Sequence, residues 1–122
     1  MILWKDFLMS NPEHDEQVAV VRWFRLAFPK LVIFAIPNAA KRSPQLANYM
    51  KAEGLLPGVA DLFVMQPNKT KHGLFIEMKS KKGKLTEQQE YFLELAKDKG
   101  YATCVCYSAE EAMAEIVRYL GE

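Results

Sequence analysis

The hydrophobic positions along this chain switch between two patterns, a helical spacing of three or four residues and short continuous apolar runs. The helical spacing is clearest in Val18, Val21 and Phe24, while the apolar runs are rich in β-branched and aromatic residues, as in strands. These patterns predict helices over residues 12–28, 43–54, 86–99 and 108–120, and strands over residues 31–36, 60–65, 74–78 and 101–107. The order α-β-α-β-β-α-β-α predicts an α/β fold whose mixed sheet contains one antiparallel hairpin and is flanked by helices.

Capping signals mark where several of these helices begin and end. Thr86 is followed three residues later by Gln89, and Ser108 by Glu111, which is the spacing of a capping box. Gly100 follows the third helix, and glycine readily adopts the left-handed conformation that ends helices. We therefore expect these helices to be defined by local sequence as well as by packing.

The composition is that of a folded domain. The chain has 122 residues, of which 50% are hydrophobic and 25% charged, and this predicts one domain over residues 1–122. The same balance excludes a disordered or collagen-like chain. No apolar run approaches the roughly 20 residues that span a bilayer, and the N-terminus lacks a basic leader with a long apolar segment. We expect a cytoplasmic protein with no membrane partner.

The charges are unevenly distributed although the formal net charge is only +1. Residues 1–84 carry 13 Lys and Arg against 7 Asp and Glu, whereas residues 85–122 carry 3 against 8. One group of lysines comprises Lys69, Lys71, Lys79, Lys81, Lys82 and Lys84. Such a cluster is either a solvated turn or a surface for a nucleic-acid backbone, and the charge pattern leaves both open.

Several sites and enzyme classes are disfavoured by missing motifs. The sequence has no dinucleotide fingerprint, phosphate loop or Gly-x-Ser-x-Gly elbow, so we expect no nucleotide cofactor. Cys104 and Cys106 are two apart on a predicted strand, which suits packing on one face better than a disulfide. The two histidines, His14 and His72, lack the spacing of zinc ligands, so structural zinc is not expected.

The strongest candidate for chemistry is an apolar strand that carries both a carboxylate and an ammonium. Glu77 and Lys79 are two residues apart and therefore share one face of that strand. Asp61 opens the partner strand, and a hairpin turn centred near residues 69–70 places it opposite residues 77–79. Neighbouring side chains on one face of a hairpin lie about 5 Å apart, so the two carboxylates can share one divalent cation.

Two hard carboxylate ligands favour Mg²⁺ or Mn²⁺, which lowers the pKa of a bound water and stabilises charge developing on a phosphate. In this interpretation Asp61 and Glu77 bind the metal, and Lys79 orients the attacking water and neutralises the transition state. The alternative is an ion pair at a strand end, with Asp61 serving only the turn before its strand.

The segments around this trio resemble a known nuclease family. Asp61 followed after a hairpin by Glu77-x-Lys79 is similar to the PD-(D/E)xK signature, and the wider sequence resembles the VRR-NUC branch of that superfamily. The matching segments are residues 37–38, 50–62, 75–79, 83–89 and 100. The block Gly-x-x-Pro-Gly-x-x-Asp-Leu with a downstream Leu-Thr-x-x-Gln makes the resemblance specific. Ala60 departs from the usual proline, which we expect to alter backbone entry more than chemistry.

The resemblance implies a restriction-endonuclease-like fold and additional site residues. Glu16 on the first helix would complete the metal site directly or through water, and the Met78 carbonyl would add an oxygen ligand. Gln89 matches the family glutamine after the catalytic strand and would be a catalytic residue. From the residues alone, the alternative for Glu16 is an acid in the first helical turn that favours the helix dipole, and the alternative for Gln89 is a place in the Thr86 capping box. The candidate DNA contacts are Asn38, Lys41, Arg42, Lys69, Lys71, Lys81, Lys82 and Lys84.

The resemblance also implies the kind of enzyme. Short phage and bacterial members look like structure-selective DNA endonucleases that act on four-way junctions as dimers. We therefore expect a Mg²⁺- or Mn²⁺-dependent endonuclease that binds branched DNA and resolves Holliday junctions as a homodimer. The candidate dimer surface is the apolar segment containing Trp4, Phe7, Leu8 and Met9. The alternatives are a catalytically inactive module that binds DNA or protein, and an RNA-directed nuclease.

Overall fold

The computed structural model of the protein describes residues 12–38 and 42–122. Its helices are α1 (Pro12–Ala27), α2 (Pro44–Ala52), α3 (Glu87–Asp98) and α4 (Ala109–Leu120). Its strands are β1 (Ile33–Ala35), β2 (Leu62–Val64), β3 (Leu74–Met78) and β4 (Ala102–Cys106). The elements follow one another in the predicted order, which confirms the α/β fold. Trp4, Phe7, Leu8, Met9 and Lys41 lie outside the described residues.

The strands form a four-stranded sheet in the order β1-β2-β3-β4. β1 pairs antiparallel with β2, and β2 with β3, whereas β3 and β4 run parallel. The pairing of β2 with β3 is the predicted hairpin, with Leu62 opposite Ile76 and Val64 opposite Leu74. β4 is reached through α3, because a parallel neighbour requires a crossover connection.

One face of the sheet packs against α1 and α4, which also pack against each other. Alternate residues of each strand point towards this face. The buried side chains of this core include Val20 and Phe24 from α1, Ala112 and Ile116 from α4, and Leu62, Val64, Leu74, Ile76, Met78 and Cys106 from the strands. The core therefore fixes the position of α1 relative to the ends of β3 and α4.

The opposite face carries aromatic residues next to α3. Phe63 lies between Phe34 and Phe75, with ring centroids 5.5 Å and 4.5 Å away. Phe75 in turn meets Phe92 of α3 edge-on at 5.0 Å. Each aromatic pair contributes about 0.5–1.5 kcal/mol beyond the area it buries. Because Glu77 follows Phe75 by two residues, its side chain emerges on the face that α3 covers.

The helix-capping predictions are confirmed, with one difference in the second box. Thr86 Oγ1 accepts a hydrogen bond from Gln89 N at 3.1 Å, and Gln89 Oε1 accepts one from Thr86 N at 2.9 Å. Ser108 Oγ likewise accepts from Glu111 N at 3.1 Å. The Glu111 carboxylate, however, accepts from Tyr107 N at 2.7 Å, one residue before the expected partner.

Both cysteines lie on β4, as predicted. Cys106 is 1% exposed and belongs to the core, and its sulfur lies 3.7 Å from that of Cys104, with both thiols free. Across residues 12–38 and 42–122, no helix has the length and apolar character needed to cross a membrane.

Candidate active site

The open end of the β2–β3 hairpin holds the two acids predicted to lie together. The register that sets Leu62 opposite Ile76 continues to Asp61 opposite Glu77. Asp61 Oδ2 accepts a hydrogen bond from Met78 N at 2.7 Å, and the Asp61 carbonyl accepts one from Ile36 N at 2.9 Å. Asp61 is thus fixed between the ends of two neighbouring strands rather than serving only its own turn.

Glu77 is a buried carboxylate with an incomplete set of hydrogen bonds. Its side chain is 2% exposed, and Oε1 is buried without a hydrogen-bond partner among the described residues. The other oxygen, Oε2, accepts a hydrogen bond from Gln89 Nε2 at 3.4 Å. A buried polar atom without a partner costs free energy, so this arrangement indicates a role other than stabilising the fold.

The surroundings of Glu77 raise its pKa from 4.5 to about 9. Burial is the largest cause, because desolvation disfavours the charged form, and the neighbouring Asp61 carboxylate adds to it. The Lys79 ammonium opposes the shift, whereas Glu13 reinforces it. Without a bound cation, Glu77 is therefore protonated at neutral pH.

Lys79 directly follows β3 and is held there through its backbone. Lys79 N donates a hydrogen bond to the Cys106 carbonyl at 2.9 Å, which extends the pairing of β3 with β4 by one residue. Its side chain is partly buried and lines the same groove as Asp61 and Glu77. The predicted trio of Asp61, Glu77 and Lys79 is therefore brought together in space.

Glu13, a residue that the sequence analysis did not single out, comes from α1 to this site. Its Oε1 accepts a hydrogen bond from Ser80 N at 2.9 Å, just beyond Lys79. Glu13 lines the groove with Asp61 and Glu77, and its charge contributes to the raised pKa of Glu77. The sequence signal was its place in the first turn of α1 together with Asp15.

Glu16 occupies a different position from the one predicted. Its Oε2 accepts a hydrogen bond from Ala109 N, the first residue of α4. That contact satisfies an amide at a helix N-terminus, where a negative charge is favourable. Glu16 does not line the groove of the acids, so the expectation that it completes a metal site is corrected.

Gly58, in the loop before Asp61, occupies a position that requires glycine. Its φ of +91° lies in the left-handed region, and a Cβ atom there would sit 2.6 Å from the backbone carbon and oxygen of Gln88. Only glycine allows this loop to approach the start of α3 so closely. The contact holds the approach to Asp61 against the helix that presents Gln89.

The acids lie at one end of a groove of about 1260 Å³ that follows α1. Glu13, Asp61, Glu77, Lys79 and Gln89 line its acidic end, and the side chains of Val18, Val21, Arg22 and Arg25 extend it along the helix. Met78 also lines the groove. At this site its amide donates a hydrogen bond to Asp61, whereas the predicted ligand is its carbonyl.

The predicted DNA contacts fall into separate groups. Asn38 and Arg42 line the groove. The exposed residues Lys81, Lys82 and Lys84 lie in the loop between β3 and α3.

Lys69 and Lys71 are not brought to the groove. They lie at the turn of the β2–β3 hairpin, where Lys69 N bonds to the carbonyl of Glu122 at 3.3 Å. Since the acids lie at the open end of the hairpin, these two lysines lie away from the acidic site, and their contact with DNA stays a prediction.

The oxygen atoms of Asp61 and Glu77 are suitable ligands for a hard divalent cation, but two side chains are fewer than a complete set of ligands. Among residues 12–38 and 42–122, no group of three or more His, Cys, Asp or Glu side chains is arranged as a metal site. Asp61 and Glu77 nevertheless offer two carboxylates, one of them with the unpartnered Oε1. Carboxylate oxygens are the ligands that Mg²⁺ and Mn²⁺ prefer, and a cation would remove the penalty on ionised Glu77.

Comparisons with known proteins support the fold described above. A model of the VRR-NUC domain family matches residues 11–110. A solved structure described as a VRR_NUC domain protein is similar with a TM-score of 0.75 and 22% sequence identity, covering 93% of this chain and 92% of that chain. At that identity the likeness establishes a shared fold. A comparison with curated proteins found no match.

Proposed function

The chain belongs to the VRR-NUC domain family, and from this premise we propose that it is a divalent-metal-dependent endonuclease that cuts branched DNA. The family assignment itself establishes a nuclease-like fold. The metal, the type of cleavage, the branched substrate and the oligomeric state are the proposed part.

The observation that carries the proposal is the state of Glu77. A carboxyl group that is 2% exposed, has an oxygen without a partner among the described residues and lies beside Asp61 is destabilising for a simple fold when it is ionised. A cation held by Asp61 and Glu77 turns the same arrangement into a favourable one. Bound there, Mg²⁺ or Mn²⁺ would stabilise negative charge on a phosphate and lower the pKa of a water molecule.

The remaining residues have supporting tasks at the acidic end of the groove. The Lys79 ammonium shares the strand face of Glu77 and can donate hydrogen bonds to a water or a phosphate oxygen, so it stabilises charge that develops during attack. Gln89 orients Glu77 through its amide. Glu13, rather than Glu16, completes the acidic site from α1, and its bond to Ser80 N fixes the chain after Lys79.

We extend the proposal to four-way junctions cut by a homodimer. One chain offers one such acidic site among its described residues, whereas symmetric cutting of a junction requires two sites presented together. Light scattering at micromolar concentration should then report about twice 14.0 kDa. A monomer that still makes paired incisions in a junction would contradict the dimer without affecting the acidic site.

Cleavage of a substrate panel tests the activity. Duplex, single-stranded, flap, splayed-arm and four-way-junction DNA would be incubated with Mg²⁺, with Mn²⁺ and with EDTA, using the wild type and Asp61→Asn. The variant is a close match, because an asparagine oxygen can still accept the hydrogen bond from Met78 N. We expect metal-dependent cleavage that is strongest on the junction and lost in the variant. No cleavage of any substrate, or equal cleavage by Asp61→Asn, would overturn the proposal.

A further inference from the structure

The groove continues from the acids along α1, and three arginines line it. Arg22 and Arg25 project from successive turns of the helix, and Arg42 faces the same groove from the segment before α2. The chain has only four arginines, and these are three of them. Among the lysines that the structure describes, only Lys79 lines the groove.

These three arginines differ from the fourth, Arg118, in whether the guanidinium group forms ion pairs. Arg118 forms ion pairs with Glu115 and Glu122 on the surface of α4. Arg22, Arg25 and Arg42 form no ion pair or side-chain hydrogen bond with any described residue. Their guanidinium groups are exposed, so their donors are available to a ligand in the groove.

The chemistry of this end of the groove fits phosphate groups of a nucleic-acid strand. A guanidinium is planar, remains charged and presents paired donors that match the oxygens of a phosphate. The lining along α1 also includes the apolar residues Val18, Val21 and Leu26 and the polar Gln17, and none of the described lining residues is Phe, Tyr or Trp. The described part of the groove lining therefore offers charge to the backbone and no aromatic platform for stacking bases.

Distances along α1 show how far Arg22 and Arg25 lie from the acidic end of the groove, where the bond would be cut. Arg22 is nine residues and Arg25 twelve residues after Glu13, so they lie about 14 Å and 18 Å from it along the helix axis. At about 3.4 Å per nucleotide of a stacked strand, this separation corresponds to roughly four or five nucleotides.

We propose that Arg22 and Arg25, with Arg42 facing the same groove, form a phosphate track that binds one DNA strand independently of sequence, with the two helix arginines about four or five nucleotides from the acidic site. The inference rests on the proposed function for the position of the cut, but the track itself is a binding surface. Under this proposal the arginines, and not Lys69 and Lys71, supply the main salt-dependent contacts.

An alternative role for one of these residues is purely structural. Arg25 lies in the last turn of α1, where a positive charge stabilises the helix dipole. That role predicts a small loss of stability on replacing Arg25 and no loss of DNA affinity. It does not account for Arg42, which lies outside any helix.

The test is binding of a fluorescent single-stranded DNA, oligo(dT) of 20 nucleotides, measured by anisotropy in EDTA over a range of salt concentrations. The variants are Arg22→Ala with Arg25→Ala, the charge-preserving pair Arg22→Lys with Arg25→Lys, and Arg42→Ala. The matched control is Lys69→Ala with Lys71→Ala, which removes the same charge at the far end of the hairpin. A mixed-sequence strand of the same length checks that binding is independent of sequence.

We expect the alanine pair to weaken binding of both strands by about tenfold or more. The slope of log affinity against log salt should become shallower by about 1.4, because each of two phosphates that the variant no longer neutralises accounts for about 0.7. Arg42→Ala should weaken binding in the same direction, and the lysine pair should recover part of the affinity. The control should change affinity less than twofold.

Equal losses of affinity in the arginine and control pairs, or unchanged binding in the arginine pair, would overturn the track. These outcomes are separate from those of the proposed function. A wild type that binds through the arginines but cuts nothing with Mg²⁺ or Mn²⁺ contradicts the nuclease proposal and leaves the track intact. Normal metal-dependent cleavage by the arginine pair, with normal affinity, removes the track and leaves the nuclease.

Discussion

The two ends of the β2–β3 hairpin differ in whether their polar side chains have hydrogen-bond partners among the described residues. At the turn, Asn68 Oδ1 accepts hydrogen bonds from Thr70 N at 3.0 Å and Lys71 N at 2.8 Å, and its Nδ2 donates to the Tyr119 carbonyl at 3.0 Å. At the open end, Glu77 is buried with one oxygen unpartnered. The turn end satisfies its donors and acceptors, whereas the open end leaves a carboxylate in an unfavourable environment.

This difference separates a structural region from a functional one without reference to conservation. Hydrogen bonds at the turn contribute stability, because each replaces a bond to water at little cost. A buried carboxylate beside a second one lowers stability unless a ligand compensates, so folds retain such pairs mainly at functional sites. We expect substitutions at the two ends to affect different properties of the protein.

The largest expected effect is on catalysis at the open end. Glu77→Gln should lower the rate of metal-dependent cleavage by about 10²–10³, because it removes a charged ligand while keeping the side-chain shape. Without divalent cations at pH 7.5, the variant should be at least as stable as the wild type, since the buried ionisable group is gone. Single-turnover cleavage and urea unfolding of the same preparation measure both. Near wild-type turnover in the folded variant would contradict the role of Glu77.

The second prediction concerns pH and uses the raised pKa of Glu77. The folded protein holds this proton up to about pH 9, whereas the unfolded chain releases it near 4.5. Between these values the folded state binds more protons, so its stability is full below pH 4.5 and falls as pH rises, by at most about 1.4 kcal/mol per pH unit.

Thermal unfolding in EDTA from pH 5 to pH 9 measures this dependence. The midpoint of the wild type should decrease relative to that of Glu77→Gln across the range, which is the control because it lacks the titrating group. Adding Mn²⁺ should raise the wild-type midpoint most at high pH, where the carboxylate ionises more readily. Parallel curves for the two proteins in EDTA would show that the Glu77 pKa is not raised.

At the turn end we expect a loss of stability alone. Asn68→Ala removes three hydrogen bonds, including the link to the end of α4, and should lower the free energy of unfolding by about 2 kcal/mol. The rate of cleavage per folded molecule should not change. Lys71→Ala is the control, because its side chain is exposed and only its backbone amide takes part. Loss of activity in folded Asn68→Ala would remove the distinction between the two ends.

The hairpin and its acids could be predicted because their signals are local. The turn, predicted near residues 69–70, sets the register of the two strands, so Asp61 could be placed opposite residues 77–79 from the sequence. The same register implies that Lys69 and Lys71 lie at the opposite end from the acids. Lysines that are close to one another in sequence can therefore lie at different distances from the acids.

The acid on α1 could not be predicted because it depends on tertiary packing. Glu13 and Glu16 are three residues apart, so both lie near one side of the helix. Which of them reaches the end of β3 is decided by where α4 packs along α1, and the start of α4 meets Glu16. The arginine groove is likewise a product of packing, because Arg42 and Arg25 belong to segments distant in sequence.

The smallest expected effect concerns Gln89. The sequence left two alternatives for this residue, a place in the helix cap and a role at the catalytic site, and in the structure its side chain makes contacts of both kinds. Its Oε1 accepts from Thr86 N at 2.9 Å, and its Nε2 donates to Glu77 Oε2 at 3.4 Å. Gln89→Glu keeps the capping acceptor but replaces the donor to Glu77 with a negative charge that repels it, so we expect the rate of cleavage to fall at least about fivefold with α3 intact. Thr86→Ala is the converse variant, because it should cost about 1 kcal/mol of stability with little effect on cleavage. If instead both variants lowered stability equally and neither slowed cleavage, Gln89 would act only as a helix cap. The catalytic role at the open end of the hairpin would then belong to Asp61, Glu77 and Lys79 without a contribution from α3.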